Sequence, residues 1–205
     1  MATTTDGGTA RGAATRARIL EATAALLRDA QAANAATDED PATTAPVTVS
    51  EIARAAGVYP NQITHHYGSK DRLVLDAAFT LFLRDTSRLQ AAGRRSRTPE
   101  GFRSVLARTA LAMPSTPLVV RALATTGGDP ALRERVRLLL ALLFRQSERY
   151  LDRVVTEHGW RSPNGVARDA RTFWSAVFGA TLLADAGVTG GPSDIDLAGT
   201  VSVTG

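Results

Sequence analysis

The chain of 205 residues contains no cysteine, and Lys70 is the single lysine among its 24 basic residues. Without cysteine there is no disulfide, thiolate metal site or thiol nucleophile, which fits a reducing compartment, so the cytoplasm is the expected location. No apolar run approaches the roughly 20 residues of a membrane-spanning helix, and the start of the chain is too polar for a signal peptide. These absences predict a soluble protein.

Catalytic and metal-binding patterns are also missing. The sequence has no nucleophile beside a base, no paired carboxylates in an apolar setting and no glycine-rich loop followed by a lysine. Two of the three histidines, His65 and His66, would point about 100° apart on a helix, so they cannot share one metal ion. The sequence therefore argues against an enzyme and against a metal sensor, and it indicates no cofactor.

Apolar residues at helical spacing dominate what the chain does contain. Hydrophobic residues make up 44% of the sequence, which suffices for one sizeable core or for a small domain joined to a larger one. Apolar side chains recur at intervals of three and four residues, while strand patterns and internal repeats do not occur. The predicted fold class is therefore all-α. The net charge of +4 is modest for a protein that binds nucleic acid.

One stretch, residues 48–73, has the pattern of a helix, a tight turn and a second helix. Ser50 can cap a helix over residues 51–56, and Gly57 can end it because glycine tolerates the left-handed conformation of such a turn. The second helix, residues 60–67, has one clear apolar side chain and is otherwise polar. A helix with almost no apolar face is poorly explained by packing but suits the major groove of DNA. The stretch therefore predicts a helix-turn-helix.

The polar side chains of this second helix include candidates for reading bases. Asn61 and Gln62 can pair with adenine through a donor and an acceptor, and His65 can donate to guanine. Ser69 is placed to cap the next helix, and Lys70 lies in its first turn, where the helix dipole slightly disfavours a cation. A phosphate contact would explain the lysine at this position.

The same stretch resembles the signature of the TetR family of transcriptional regulators. The resemblance is carried by Thr48, Val49, Ile52, Ala53, Ala56, Gly57, Val58, Ile63, His66, Tyr67, Ser69 and Lys70. Tyr59 and Thr64 depart from the family pattern, which often has Ser or Thr at the first position and Tyr at the second. Both positions usually meet phosphate in the family, and each keeps a hydroxyl here. Beside the three base readers, the resemblance implies DNA contacts from Arg16, Thr48, Tyr59, Thr64, Tyr67 and Lys70.

We predict three parts in the chain. Residues 1–14 form a disordered basic leader, residues 15–72 form the DNA-binding domain, and residues 73–205 form a helical domain for effector binding and dimerisation. Residues 31–46, with an acidic cluster at 38–40, form a flexible loop inserted into the DNA-binding domain. This loop is either a tolerated surface insertion or an acidic patch that repels nonspecific DNA or contacts a partner.

Periodicity and capping residues place the individual helices. They are predicted at residues 15–30, 51–56, 60–67, 73–92, 102–113, 118–125, 130–158 and 166–186. The basic joint at residues 93–99 is interpreted as a solvated loop, with DNA contact as the alternative. The tail after Gly187 forms a short helix beyond Ser193 or nothing regular.

The larger domain has apolar residues in excess, so it could enclose a small hydrophobic or amphipathic effector between its helices. The candidates for lining this pocket are Phe102, Met113, Leu140, Phe144, Trp174 and Phe178. The alternative is that they are core and dimer contacts. In the family that the chain resembles, the last two long helices usually build a four-helix dimer interface. Residues 166–186 are therefore expected to carry the homodimer contacts, through Phe173, Val177, Thr181 and Leu182.

The resemblance implies a homodimeric, sequence-specific DNA-binding transcriptional regulator. Its expected action is repression, released when the effector removes the protein from a palindromic operator of double-stranded DNA. The alternative is a DNA-binding regulator without a small-molecule switch that acts through a protein partner. An apolar pocket within the larger domain would favour the first interpretation.

Overall fold

A computed structural model describes residues 6–37, 47–188 and 195–205 of the chain. Within these ranges the regular secondary structure is helical, apart from one isolated β-bridge between Arg161 and Thr204, so the predicted all-α fold is confirmed. The eight α-helices are α1 Asp6–Thr37, α2 Val49–Ala56, α3 Pro60–Tyr67, α4 Lys70–Gly93, α5 Pro99–Leu111, α6 Thr116–Ala124, α7 Pro130–His158 and α8 Val166–Asp185. None of these helices has both the length and the apolar character needed to cross a lipid bilayer.

Helix α1 is longer than predicted at both ends. It begins at Asp6 and ends at Thr37, whereas the predicted ends lie near residues 15 and 30. The predicted disordered leader is therefore wrong from Asp6 onward, and the predicted loop is wrong up to Thr37. The C-terminal extension, residues 31–37, contains four alanines, which have the highest helix propensity. The N-terminal extension, residues 6–14, contains three glycines beside its three alanines, so helix propensity does not explain it. Residues 1–5 and 38–46, which include the acidic cluster, lie outside the described residues.

The chain divides into two compact units, Met1–Thr80 and Leu81–Gly205. Helix α4 contributes residues to both units. The predicted division into residues 15–72 and 73–205 assigns a role to each part, and it stays a prediction.

The core of the first unit joins helices α1, α2 and α3. Ile19 of α1, Ile52 of α2 and Ile63 of α3 are each at most 1% exposed and pack in one cluster. Gly57 ends α2 with φ of 61°, the left-handed conformation that the sequence predicts for the turn. The small residues Ala53 and Ala56 complete the buried face of α2. This packing fixes α3 beside the two helices that precede it.

In the second unit, α8 packs against α5, α6 and α7. The Asp129 carboxylate accepts hydrogen bonds from the backbone N–H groups of Ala131 and Leu132, so α7 begins where its cap and Pro130 predict. The Trp174 ring of α8 lies 5.0 Å from Phe82 and 5.1 Å from Phe173 between centroids. These aromatic contacts form the centre of the second unit's core.

Gly93, at the end of α4, is buried against an aromatic side chain. A methyl group at this position would collide with the Tyr150 hydroxyl and would lie 3.0 Å from Phe102. Because the residue is glycine, the Tyr150 hydroxyl reaches the α4 backbone and donates a hydrogen bond to the Gln90 carbonyl oxygen at 3.1 Å. Burial raises the pKa of Tyr150 well above its ordinary value. The hydroxyl therefore stays protonated and available as a donor.

Candidate nucleic-acid interface and effector cavity

Helix α3 has two sharply different faces. Ile63 is 1% exposed and Tyr67 is 2% exposed, so both belong to the core. Asn61, Thr64 and His65 are exposed and Gln62 is half-buried. At about 100° per residue, Asn61 and His65 lie opposite Ile63, with Gln62 and Thr64 on either flank. We call Asn61, Gln62, Thr64 and His65 the reading face, since together they form a polar surface rich in donors and acceptors.

Tyr59 stands at the entrance to this helix. It is the N-cap residue of α3, but its side chain makes no capping hydrogen bond. The side chain is 78% exposed, an unusual position for a large aromatic ring. Its hydroxyl is therefore accessible at the helix N-terminus, where backbone N–H groups also favour an anion.

Helix α2 begins with a capping box centred on Thr48. The Glu51 backbone N–H donates to the Thr48 hydroxyl oxygen at 3.2 Å, and the Thr48 backbone N–H donates to the Glu51 carboxylate at 2.8 Å. The cap is therefore Thr48, and the prediction of Ser50 as the cap is wrong. The sequence order Thr-x-x-Glu was the available signal.

The same capping box changes the acidity of Glu51. The hydrogen bonds that the Thr48 backbone N–H and then the Thr48 hydroxyl donate to the carboxylate hold the pKa of Glu51 below its ordinary value. These bonds stabilise the charged form, which is also favoured near a helix N-terminus. Thr48 remains exposed, so the cap does not bury it.

Arg16 of α1 is bound to the end of α3. Its guanidinium donates to the His66 carbonyl oxygen at 3.1 Å and lies 4.6 Å from the centroid of the Tyr67 ring. The Tyr67 hydroxyl donates in return to the Arg16 carbonyl oxygen at 2.7 Å. Tyr67 is buried and its hydroxyl is already used, so the prediction that Tyr67 contacts DNA is wrong. Arg16 remains exposed, and its DNA contact stays a prediction.

The start of α4 follows the sequence prediction for Ser69. The Arg72 backbone N–H donates to the Ser69 hydroxyl oxygen at 3.2 Å, which caps the helix. Lys70 lies half-buried in the first turn, next to exposed Asp71. Across the described residues, no group of three or more His, Asp and Glu side chains could hold a metal ion.

The second unit contains a small cavity between α4, α5, α7 and α8. It is lined by Thr86, Leu89, Gln90, Leu106, Ser147, Tyr150, Leu151, Ala170, Phe173, Trp174 and Val201. The space open to the centre of a water-sized sphere is about 20 Å³, room for little more than one water molecule. Charged side chains are absent from this lining.

Trp174 is the predicted pocket residue that lines this cavity. Phe102 and Met113 are buried elsewhere in the core. Phe178 packs on the rings of Phe82 and Trp174, and Phe144 lies 5.7 Å from the Arg171 guanidinium. Leu140 is half-buried on α7. These five residues are not among those that line the described cavity, so their place in an effector pocket stays a prediction; apolar periodicity does not distinguish a cavity wall from a filled core.

Two family profiles match the chain. Residues 44–77 match the family described as bacterial regulatory proteins, tetR family. Residues 99–202, about half of the 205 residues, match the family described as bacterial transcriptional repressor C-terminal. The chain belongs to the TetR family. It is therefore a transcriptional regulator of the DNA-binding repressor type, and regulators of this family typically act as dimers.

Solved structures share this TetR-family fold over most of the chain. A proposed transcriptional regulator from Rhodococcus sp. RHA1 is 26% identical, with a TM-score of 0.68 over 90% of this chain and 91% of that one. A second regulator from that organism is 24% identical, with a TM-score of 0.56 over 88% and 91%. FadR of Thermus thermophilus, a TetR-family repressor in complex with lauroyl-CoA, is 22% identical, with a TM-score of 0.57 over 90% and 88%. No curated protein matches the chain.

The residues predicted for the TetR-type dimer contact mostly lie in the core. Phe173 is 4% exposed, Val177 is fully buried, and Thr181 donates its hydroxyl to the Val177 carbonyl oxygen. A side chain already buried within one chain has almost no surface left to bury against a second, so the prediction is wrong for these three residues. Leu182 is 54% exposed, and its place in a dimer interface stays a prediction.

The sequence interpretation missed the residues that complete both sites. Glu51 completes the capping box of α2 by accepting a hydrogen bond from the Thr48 backbone N–H. The Thr-x-x-Glu order in the sequence indicates this pairing. Val201 of the tail lines the cavity, as do Gln90 and Ser147. The apolar residues of the tail were the only available signal for Val201, and nothing in the sequence indicates that it meets α8.

Proposed function

We propose that this TetR-family protein is a homodimeric repressor that binds a palindromic operator and releases it when a small hydrophobic or amphipathic effector binds the second unit. The observation that carries the DNA-binding part is the reading face of α3. Asn61 and His65 point away from the core, and Gln62 and Thr64 flank them. A helix that presents four hydrogen-bonding side chains on one surface is equipped to read base edges in the major groove.

Phosphate contacts are assigned to the residues around this face. Lys70 supplies a cation in the first turn of α4, and Tyr59 supplies an exposed hydroxyl before α3. Thr48 is exposed at the start of α2, which packs against α3, and the exposed Arg16 of α1 contacts Tyr67 of α3. Contacts of this kind fix the register of the protein on the duplex and carry no sequence information themselves.

Dimerisation is assigned to the exposed apolar residues of α8. Leu182 is 54% exposed and Leu183 is 44% exposed, and Leu138 on the neighbouring helix α7 is 54% exposed. Leu182 and Leu183 are neighbours in the sequence, and adjacent exposed apolar side chains are typical of an interface with another molecule. A two-fold dimer would present two α3 helices to successive major grooves about 34 Å apart, which requires an operator with two inverted half-sites.

Effector control is supported by the cavity in the second unit and by α4. The cavity wall is largely apolar, and its residues Thr86, Leu89 and Gln90 belong to α4, which also contributes to the first unit. The likeness to FadR, which binds lauroyl-CoA, adds an example of a ligand-bound repressor with this fold. To release DNA, the effector must favour the released arrangement over the DNA-bound one by a few kcal/mol.

One observation favours the second candidate, a regulator that acts through a protein partner without a small-molecule switch. The cavity admits little more than one water molecule as it stands. An effector would therefore have to open it, whereas a protein partner would not need it.

A random-sequence selection with the full chain tests the proposal. We expect the selected duplexes to contain inverted repeats whose half-site centres lie about one helical turn, or a multiple of it, apart. Leu182→Glu should give a monomer in analytical ultracentrifugation and should no longer bind these duplexes. The control Ser104→Glu, on the exposed face of α5, should sediment as a dimer and bind them. Selection of single, unpaired half-sites by a parent protein that sediments as a monomer would contradict the proposed homodimeric repressor.

A further inference from the structure

The end of the sequence folds back onto the second unit. We call residues 195–205 the strap. Its 3-10 turn, Ala198–Thr200, packs against α5 and α8. Leu197, Val201 and Val203 are at most 2% exposed. The strap is therefore part of the core of this unit, although it has little regular structure of its own.

Hydrogen bonds hold the strap near its final residues. The backbone N–H of Arg161 donates to the Thr204 carbonyl oxygen at 2.8 Å, and the Thr204 N–H donates to the Arg161 carbonyl oxygen at 2.9 Å. The Ser202 hydroxyl donates to the Asp169 carboxylate at 2.9 Å, and the Arg103 guanidinium donates to the Val203 carbonyl oxygen at 3.0 Å. Asp169 is 1% exposed and also accepts from Ser162 at 2.8 Å, so its carboxylate is fixed.

Val201 connects the strap to the cavity. It lines the cavity together with residues from α4, α5, α7 and α8, and among the described residues it is the lining residue outside these helices. Moving a helix would disturb its packing along its whole length. Moving the strap would break a few hydrogen bonds and expose three side chains, and such short segments open locally far more readily than packed helices. The wall at Val201 is therefore the part of the cavity that yields most easily.

The remaining lining residues define what the cavity can bind. It has no charged side chain, so a charged ligand would be buried there without a partner, at a high cost. Ser147 accepts a hydrogen bond from the Trp174 indole N–H at 2.7 Å, and among the described residues its own hydrogen has no acceptor. Gln90, whose side-chain amide carries a donor and an acceptor, also lines the cavity. The surroundings suit an apolar, uncharged molecule with one oxygen that accepts a hydrogen bond.

We propose that the strap is the gate of the effector cavity, and that an uncharged, largely apolar ligand enters by displacing Val201. This inference rests on the proposed effector-responsive function and adds the entry route and the class of ligand. In the closed state Val201 forms part of the wall that limits the cavity to little more than one water molecule. The ligand's accepting oxygen then meets the Ser147 hydroxyl, and its apolar body packs on Trp174 and Phe173.

A reversible lock on the strap tests the gate. The chain has no cysteine, so Arg161→Cys combined with Thr204→Cys creates a single possible intramolecular disulfide. Directly opposed, hydrogen-bonded residues of an antiparallel pair have Cα atoms about 5.5 Å apart, within the range of roughly 4.4–6.8 Å that a disulfide spans. The probe is 6-propionyl-2-(dimethylamino)naphthalene, an uncharged dye with one ketone oxygen that can accept a hydrogen bond. Its emission shifts to shorter wavelength in apolar surroundings, and its association with the full chain is followed by stopped flow.

We expect the oxidised protein to take up the dye about tenfold more slowly, or slower still, than the same sample after reduction. The reduced protein should behave like the parent chain. Equal association rates before and after reduction would overturn the proposal. Because one sample supplies both states, misfolding of the variant cannot imitate the expected result.

A second variant loosens the strap instead of locking it. Ser202→Ala removes the hydrogen bond that Ser202 donates to Asp169 and the one that it accepts from the Asn164 backbone N–H, so the dye should associate several-fold faster than with the parent. Ser104→Ala, which removes an exposed hydroxyl from α5, should leave the rate unchanged. If the dye binds neither the reduced double variant nor Ser202→Ala, the cavity takes no uncharged apolar ligand and the proposal is also overturned.

Operator binding without dye separates this inference from the proposed function. Both redox forms should bind the selected duplex, because the strap lies in the second unit. If the parent chain shows no sequence-specific DNA binding, the proposed function is contradicted. A rate difference between locked and reduced protein would still stand as evidence for the gate.

Discussion

The side chains of Tyr67 and Arg16 link helices α1 and α3 of the first unit through two separate contacts. The Tyr67 hydroxyl donates to the Arg16 carbonyl oxygen at 2.7 Å, and the Arg16 guanidinium donates to the His66 carbonyl oxygen at 3.1 Å while it covers the Tyr67 ring. The carbonyl groups in the last turn of a helix lack partners within the helix. Arg16 supplies one for α3, so the orientation of the reading face depends on α1.

Replacing Tyr67 by phenylalanine should weaken this connection. Tyr67→Phe removes one partly buried hydrogen bond and leaves the Arg16 carbonyl without it, which should lower the free energy of unfolding by about 1 kcal/mol in urea titrations. Tyr59→Phe also removes a tyrosine hydroxyl, but an exposed one. It should leave stability unchanged and lower affinity for all duplexes. Equal stability losses for the two variants would contradict the assignment of Tyr67 to the core and Tyr59 to the surface.

The capping box should make part of the stability depend on pH. The pKa of Glu51 is lower in the folded protein than its ordinary value of 4.5. The unfolded state therefore binds the proton more readily, so the contribution of Glu51 is present above the ordinary pKa and is lost as the pH falls through the folded pKa. Glu51→Gln keeps an accepting oxygen without a charge.

The measurement compares urea midpoints of the parent and Glu51→Gln. The parent should be the more stable at neutral pH, and the difference should shrink once the pH falls below 4.5, the ordinary value for this carboxyl. A difference that stays constant with pH would show that the charged form gains nothing from the cap.

A methyl group at residue 93 should destabilise the second unit. In Gly93→Ala the added carbon would collide with the Tyr150 hydroxyl and press on Phe102, at a cost of about 1–3 kcal/mol for overpacking. Gly127→Ala is the matched control, because its added methyl meets nothing within 4 Å. Thermal unfolding followed by circular dichroism should show a lower midpoint for the first variant only. An unchanged midpoint for Gly93→Ala would contradict the close approach of Tyr150 to α4.

Lys70 and Gln62 should affect DNA binding in different ways. Lys70→Ala should lower affinity for every duplex and reduce the slope of log K against log salt by about 1, since it removes one phosphate contact. Gln62→Ala should relax preference at particular base pairs, at a cost of about 1–3 kcal/mol for the preferred base. Competition titrations against single-site operator variants separate the two patterns. Equal losses across all operator variants for Gln62→Ala would contradict its place on the reading face.

The fold was predictable where local signals mark the ends of helices. Asp129, Pro130 and Gly159 fix α7, and its observed span of Pro130–His158 is the predicted one. Helix α8 ends at Asp185, one residue from the prediction. Helix α1 was predicted too short because apolar periodicity marks only part of a helix, and the alanines of residues 31–37 extend its C-terminal end beyond that part.

The sites were predictable only in part, because a stripe of apolar residues does not reveal what it packs against. Phe173 and Val177 lie on the stripe predicted for dimer contacts, yet they face the core of their own chain. Val201 meets the cavity only because the tail folds back onto α8, and no local pattern encodes such a long-range contact. The polar character of α3, by contrast, is local, so Asn61, Thr64 and His65 were identified from the sequence as surface residues, whereas Tyr67, which was assigned to DNA contact, is buried.

The most direct test of sequence-specific DNA binding is fluorescence anisotropy with duplex DNA from upstream of the protein's own coding sequence. The same DNA in scrambled order is the control, and both are titrated at two salt concentrations. A reading helix held on a dimer predicts a preference of about a thousandfold for the natural duplex, with a steep salt dependence. Weak and equal binding to both duplexes, together with no enrichment in the random-sequence selection, would contradict a DNA-reading role for α3.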